Sequence, residues 1–197
     1  MTGVRLYVRS RVLPRTLAGL AGTAGLVLWA ASGPAPGGGM PVLALAPLLA
    51  AALIGTSLYA ACDELDRTAV RPWWPRRLVH LLGLTAPMAV LLPLAVLGGD
   101  GLAADPWGMV RNLLGCTGLT AAAAVLLGAR LSWLPACGYV WSVYLASEGV
   151  HGHAVTVWAW PTQPGHTPAA WLTAAAACAA GTALYAARGA RPEGPRT

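Results

Sequence analysis

Residues 16–62 contain no charged side chain, and neither do residues 78–99, 112–129, 131–147 or 168–187. Each of the four shorter gaps is close to the roughly 20 residues that a helix needs to cross a hydrocarbon core about 30 Å thick. The longest gap is interrupted by SGPAPGGGMP at 32–41, a run of Gly and Pro that no helix continues through. It therefore divides into two apolar segments. None of these runs has the period-2 alternation of a membrane strand, and in lipid only helices and closed barrels satisfy their own backbone. The pattern predicts an all-α membrane protein, a bundle of about six transmembrane helices at 16–32, 41–62, 78–99, 110–128, 131–147 and 168–187. A basic amphipathic segment at 1–15 precedes the membrane domain, and a basic tail at 188–197 follows it.

Composition agrees with this reading. The chain is 10% charged and 56% hydrophobic, whereas a soluble domain is about 25% charged. That balance excludes a disordered chain and leaves too little polar surface to cover a water-soluble globule. The net charge of +6 invites a nucleic-acid reading, but the placement of the arginines argues for a membrane. Arg5, Arg9, Arg11, Arg15, Arg67, Arg71, Arg76, Arg77, Arg130, Arg188, Arg191 and Arg196 all fall on one side of a six-span model, and only Arg111 falls on the other. Basic residues collect on the cytoplasmic side, so both termini are expected in the cytoplasm and no nucleic acid is expected as a partner. The first apolar run, although it resembles a secretory signal, reads as a retained span because cleavage would leave Arg67 to Arg77 on the wrong side. Residues 4–13 alternate apolar and basic side chains, which suits a helix lying on anionic headgroups.

The chain has no Lys and no Phe, with a single Ile (Ile54) and a single Asn (Asn112). This usage points to GC-rich codons, hence to a high-GC bacterium and its plasma membrane. Without Lys there is no P-loop lysine for nucleotide phosphates and no Schiff-base amine. Any ATP that drives this protein is bound by another subunit. The spans hold no Asp or Glu in their interiors, and His80 lies near the inner end of the third span beside Arg76 and Arg77. Proton-coupled transport, which uses intramembrane carboxylates, is disfavoured on that ground. No Gly-x-Ser-x-Gly surrounds any serine, and an enzyme is not expected. Cys62, Cys116, Cys137 and Cys178 form no Cys-x-x-Cys pair and read as small apolar packing residues. No cofactor is expected.

Two loops concentrate the remaining chemistry. The outer one, EGVHGHAVTVWAWPTQPGH at 148–166, carries Glu148, His151 and His153 as weak candidate ligands for a transition metal. Two histidines one residue apart lack a third ligand at fixed spacing, so the preferred reading is metal-free, with Trp158 and Trp160 as membrane-interface anchors. Residues 155–160 are too short to span and read as a strand-like or re-entrant piece on the outer helix ends. The inner loop opens with Asp63, Glu64 and Asp66 and continues with Arg67 and Arg71, the charge order of a short cytosolic helix. Pro72 and Pro75 are expected to stop that helix, and Trp73 and Trp74 to anchor at the interface.

With its basic lead-in, six spans, inner-loop helix and partly inserted outer segment, the chain resembles an ABC-2-type transporter permease. The strings RPWWPRRLVH at 71–80, RNLLGCTG at 111–118 and WAWPTQP at 158–164 are similar to those of small actinobacterial membrane proteins of that kind. The resemblance implies a permease subunit that pairs with a second copy or a paralogue and is driven by a separate cytosolic ATPase. It implies docking of that ATPase on Asp63, Glu64, Asp66, Arg67 and Arg71. The alternative is a non-transporting membrane scaffold or accessory protein.

The arginine asymmetry sets a topological expectation. In a background without the native cysteines, a Cys at position 36 or 163 should be labelled from outside the cell. A Cys at 69 or 194 should be labelled only after permeabilisation, and outside labelling at 69 would overturn the orientation.

Overall fold

The fold was read from a computed structural model that describes residues 13–32, 40–59, 73–97, 105–146 and 153–192. In it the apolar runs form α1 (Leu13–Ala31), α2 (Met40–Ser57), α3 (Trp74–Leu97), α4 (Pro106–Leu127), α5 (Trp133–Ala146), the short α6 (His153–Trp158) and α7 (Pro168–Arg188). One-turn 3-10 segments, Ala129–Leu131 and Trp160–Thr162, precede α5 and follow α6. No strand occurs among the described residues, so the segment at 155–160 is helical rather than strand-like.

The helix ends follow local chemistry. Asp105 caps α4, its carboxylate accepting the Gly108 amide at 3.0 Å, and Pro106 takes the first helical position. The amide that proline lacks is one that this position leaves unpaired anyway. Pro75 likewise stands second in α3, so Arg76 and Arg77 belong to the first turn of a helix that starts four residues before position 78. The inner-loop helix that Pro72 and Pro75 are expected to stop lies outside the described residues. Gly128 (φ 91°) and Gly189 (φ 75°) close α4 and α7 in backbone conformations that only glycine adopts without strain.

Among the described residues, α3, α4 and α7 are each long and apolar enough to cross a membrane, and Ala44–Ser57 is a shorter apolar helix. With 14 residues, α5 rises only about 21 Å at 1.5 Å per residue. The core is apolar, with Ile54, Leu58, Leu92 and Leu113 fully buried, but so is much of the surface, and several polar groups lie inside. Val79, Leu82, Val90, Leu94 and Leu97 line the outer face of α3, with Val79 71% exposed. Thr23, Ser57, His80, Thr85, Arg111, Thr120 and Ser132 are buried. The hydroxyls inside return their hydrogens to carbonyls one turn back: Thr23 to Gly19, Thr85 to Leu81, Thr120 to Thr117 and Ser132 to Ala129, all at 2.8–3.0 Å. Water would not tolerate so large an apolar surface, and lipid favours it. The described residues have the surface of a membrane-embedded helical bundle.

Successive long helices run in alternation. Gly19 near the start of α1 packs against Leu53 near the end of α2. Ser57 at the end of α2 meets His80 in the first turns of α3. Arg77 reaches the last turn of α7, and Arg191 reaches the last turn of α4. These contacts gather at one end of the bundle. The start of α4, the start of α7, α6 and the second 3-10 turn gather at the other.

At the centre, α4 packs most extensively against α7 and next against α2. The α4–α7 contact is backbone on backbone. A Cβ at Gly181 would collide with the Gly118 carbonyl, and a Cβ at Gly118 would collide with the backbone of Ala177 and Cys178. Without a hydrophobic force between helices in lipid, such close approach supplies dispersion contact instead. Gly181→Val should therefore lower the thermal midpoint of the detergent-solubilised protein, the overpacking costing about 1–3 kcal/mol or more. Gly83→Ala on α3, where a Cβ meets nothing within 4 Å, should leave the midpoint within error.

Candidate functional site

The end of the bundle where α4 and α7 begin is organised by one buried cation. Arg111 lies on the second turn of α4 and is 1% exposed. Its Nη1 donates to the Pro164 carbonyl at 2.9 Å and its Nη2 to the Gln163 carbonyl at 2.7 Å. Nε and Nη2 also donate to Oδ1 of Asn112 at 3.2 and 3.1 Å, and Asn112 Nδ2 donates onward to the Pro161 carbonyl at 2.8 Å. Neighbouring residues of one helix thus take three carbonyls from the segment joining α6 to α7.

Other side chains close the same segment. Trp171 Nε1 donates to the Gly165 carbonyl at 2.7 Å, and Thr162 Oγ1 to that of Ala159 at 2.9 Å. The Tyr139 hydroxyl donates to the Trp158 carbonyl. The Trp160 indole lies directly over Gly115, where a Cβ would strike the ring, and stacks on Tyr139 with centroids 6.2 Å apart. Gly165 sits against the Asp105 carboxylate with no room for a side chain. The reason is general: irregular backbone near a membrane core is tolerated only when protein satisfies its polar groups. A guanidinium has five donors in a rigid fork, and hydrogen bonds to a charged group contribute about 1.5–3 kcal/mol each. Beside the clamp is a small cavity of about 10 Å³, lined by Pro47, Asn112, Cys116, Tyr144 and Pro161 among others. That is room for about one water molecule.

At the opposite end, Ser57 Oγ and His80 Nε2 lie 3.2 Å apart, both residues buried. A serine–histidine pair raises the question of nucleophilic catalysis. Ser57 Oγ, however, donates its single hydrogen to the Ile54 carbonyl at 2.6 Å. With that hydrogen on the Ile54 carbonyl, His80 Nε2 acts as the donor in the pair, the reverse of the polarity by which a general base activates a hydroxyl.

Compared with protein-family models, curated proteins and solved structures, the chain matches none.

The expected docking residues Asp63, Glu64, Asp66, Arg67 and Arg71 lie outside the described residues, as do Glu148 and His151. His153 is the first residue of α6. Among the described residues no three His, Cys, Asp or Glu side chains come together in a metal-binding group, and Cys116, Cys137 and Cys178 are free thiols. The four tryptophans part company. Trp74 and Trp158 are exposed, while Trp73 is half-buried beneath Arg76. Trp160, 2% exposed, fills the bundle interior instead. Sequence reasoning did not assign the clamp, although the signal was present: Arg111 is the one arginine on the sparsely charged side, and it adjoins the only asparagine.

Arg111→Leu should leave the carbonyls of Gln163 and Pro164 without donors, at about 1–3 kcal/mol for each buried unsatisfied group. The variant should be cleaved by external protease within 153–167 at least tenfold faster than wild type. Arg111→Lys should not restore protection, since a point charge cannot serve the diverging acceptors that a fork reaches.

Proposed function

We propose that this chain is the membrane-spanning permease subunit of an ABC-type transporter, with six spans and both termini in the cytoplasm of a bacterial plasma membrane. The observation that carries the reading is the helical segment of α6 and its 3-10 turn. It folds back onto the outer helix ends between the last two long helices and is locked there by Arg111 and Asn112. A partly inserted outer segment at this point of the chain is what the resemblance to ABC-2-type permeases implies. The alternation of the long helices suits an even number of crossings. In this reading α5 completes its crossing together with the preceding 3-10 turn.

The energy source follows by exclusion. Asp105, an α4 cap, is the only carboxylate among the described residues, so these helices offer no midplane proton carrier. The absence of Lys from the chain removes a P-loop. Energy then arrives from a cytosolic ATPase docked at 63–71, next to the start of α3. Among the described residues, the cavity beside Asn112 has room for about one water molecule. In this reading the pathway lies between this subunit and a second copy or a paralogue: Ala18, Ala21, Gly22 and Gly25 are exposed on α1, and small residues there let a partner helix approach. The second reading is a non-transporting scaffold or accessory protein.

Copurification separates the two. Glu64→Arg reverses a charge of the docking loop, and breaking one partner of a buried interface pair costs about 2–5 kcal/mol, roughly 30-fold or more in affinity. The variant should reach the membrane at wild-type abundance but lose its copurifying ATPase and any export phenotype. The double variant His151→Ala, His153→Ala should keep both. If the Glu64 variant retains its partner, or wild type never brings down an ATPase, the scaffold reading stands.

A further inference from the structure

The end of the bundle opposite the Arg111 clamp gathers cations, and among the described residues no carboxylate lies there. Arg76 and Arg77 stand in the first turn of α3, Arg188 ends α7, and Arg191 follows it. Arg77 brings the start of α3 against the end of α7. Arg77 Nη1 donates to the Ala186 carbonyl at 3.3 Å, and its guanidinium lies against Gly189, where a Cβ would be 2.7 Å from the guanidinium carbon. Arg191 is tied to α4 through its amide, which donates to Ala124 at 2.9 Å, and through Nη1, which donates to Leu126 at 3.1 Å. A guanidinium offers five N–H groups, so most donors of Arg77 and Arg191 remain unused. Asp105, the only described carboxylate, caps α4 at the far end of the bundle.

The surroundings are apolar rather than aqueous. Arg76 stacks on Trp73 with its guanidinium carbon 4.7 Å from the ring centroid. The Trp73 indole N–H is enclosed and has no acceptor. One turn below Arg76, Val79 is 71% exposed, and Leu82 three residues further on is 52% exposed; positions three apart are neighbours on a helix. The surface therefore passes within two helical turns from free guanidinium groups through indole to bare aliphatic side chains. A soluble phosphate would complement only the first of these zones. An anionic phospholipid complements all three, with its phosphate at the cations and its acyl chains along α3.

From this juxtaposition we infer that the start of α3 and the end of α7 form a binding site for an anionic phospholipid headgroup, with Arg76, Arg77, Arg188 and Arg191 as its cations. This site is distinct from the basic segment at 1–15 and does not depend on the transporter reading. Bound lipid would bridge α3 to α7 at the end where Arg77 already joins them.

The test uses the full chain purified in a neutral detergent, with lipid binding counted by native mass spectrometry and checked by thermal stabilisation. Phosphatidylglycerol should bind and stabilise, whereas phosphatidylcholine should not. Each basic side chain near an anionic headgroup contributes about a factor of five, so Arg76→Gln with Arg188→Gln should weaken phosphatidylglycerol binding about 30-fold. Arg76→Gln alone should weaken it about fivefold, which keeps the test open if the double variant fails to fold. Arg76→Lys with Arg188→Lys should bind nearly as wild type, as should Arg9→Gln with Arg11→Gln. Equal binding of the two lipids, wild-type affinity in the Gln variants, or loss of binding only in the variants at 9 and 11 would each overturn the site. Displacement of the lipid by millimolar inorganic phosphate would assign the cations to a soluble anion and overturn the lipid.

Discussion

Two helix backbones touch at Gly118 and Gly181, and the positions of the other described elements follow from that contact. Lipid tails are as apolar as leucine, so helices in a membrane gain little from burying aliphatic surface and much from close backbone approach. With α4 and α7 held this way, the two ends of the bundle are set by what those helices carry. At one end α4 offers Arg111 and Asn112, and α7 offers Trp171, to the segment between α6 and α7. At the other end the carbonyls of both helices are taken by Arg77 and Arg191. The pair acts as a spine whose ends are tied to different parts of the chain.

The polar groups of the interior are mostly satisfied by the chain itself. Hydroxyls bond one turn back, Ser57 both donates to its own helix and accepts from His80, and Arg111 bonds neutral acceptors rather than a carboxylate. Among the described residues most of these groups find partners within the chain, and the interior resembles a set of pinned joints.

Much of the fold could be read from where charges are missing. The gaps in charge locate the helices because the cost of placing a charge in lipid outweighs local propensity. Some features stayed hidden because they depend on residues far apart in sequence. Whether Trp160 anchors at the surface or packs inside is decided by the missing side chain at Gly115, one glycine among 24. In so alanine- and glycine-rich a chain, Gly118 and Gly181 do not stand out from codon usage. That Pro75 also begins α3 could not be read in the sequence, because proline both ends and begins helices and only the backbone on either side tells which. The docking loop at 63–71, legible as a charge pattern, falls outside the described residues.

The clamp grips main-chain oxygens, and this has an evolutionary consequence. Arg111 and Asn112 reach the carbonyls of residues 161, 163 and 164, which every amino acid possesses, so the lock is indifferent to the side chains it holds. Drift at Gln163 leaves the acceptors in place. An inserted or deleted residue between Trp160 and Pro168 would move every acceptor out of reach of a guanidinium fixed on α4. Apart from Gly165 and the buried Trp160 and Pro161, the loop is therefore constrained more in length than in composition, and its outward-facing side chains can be exchanged without disturbing the bundle that carries them.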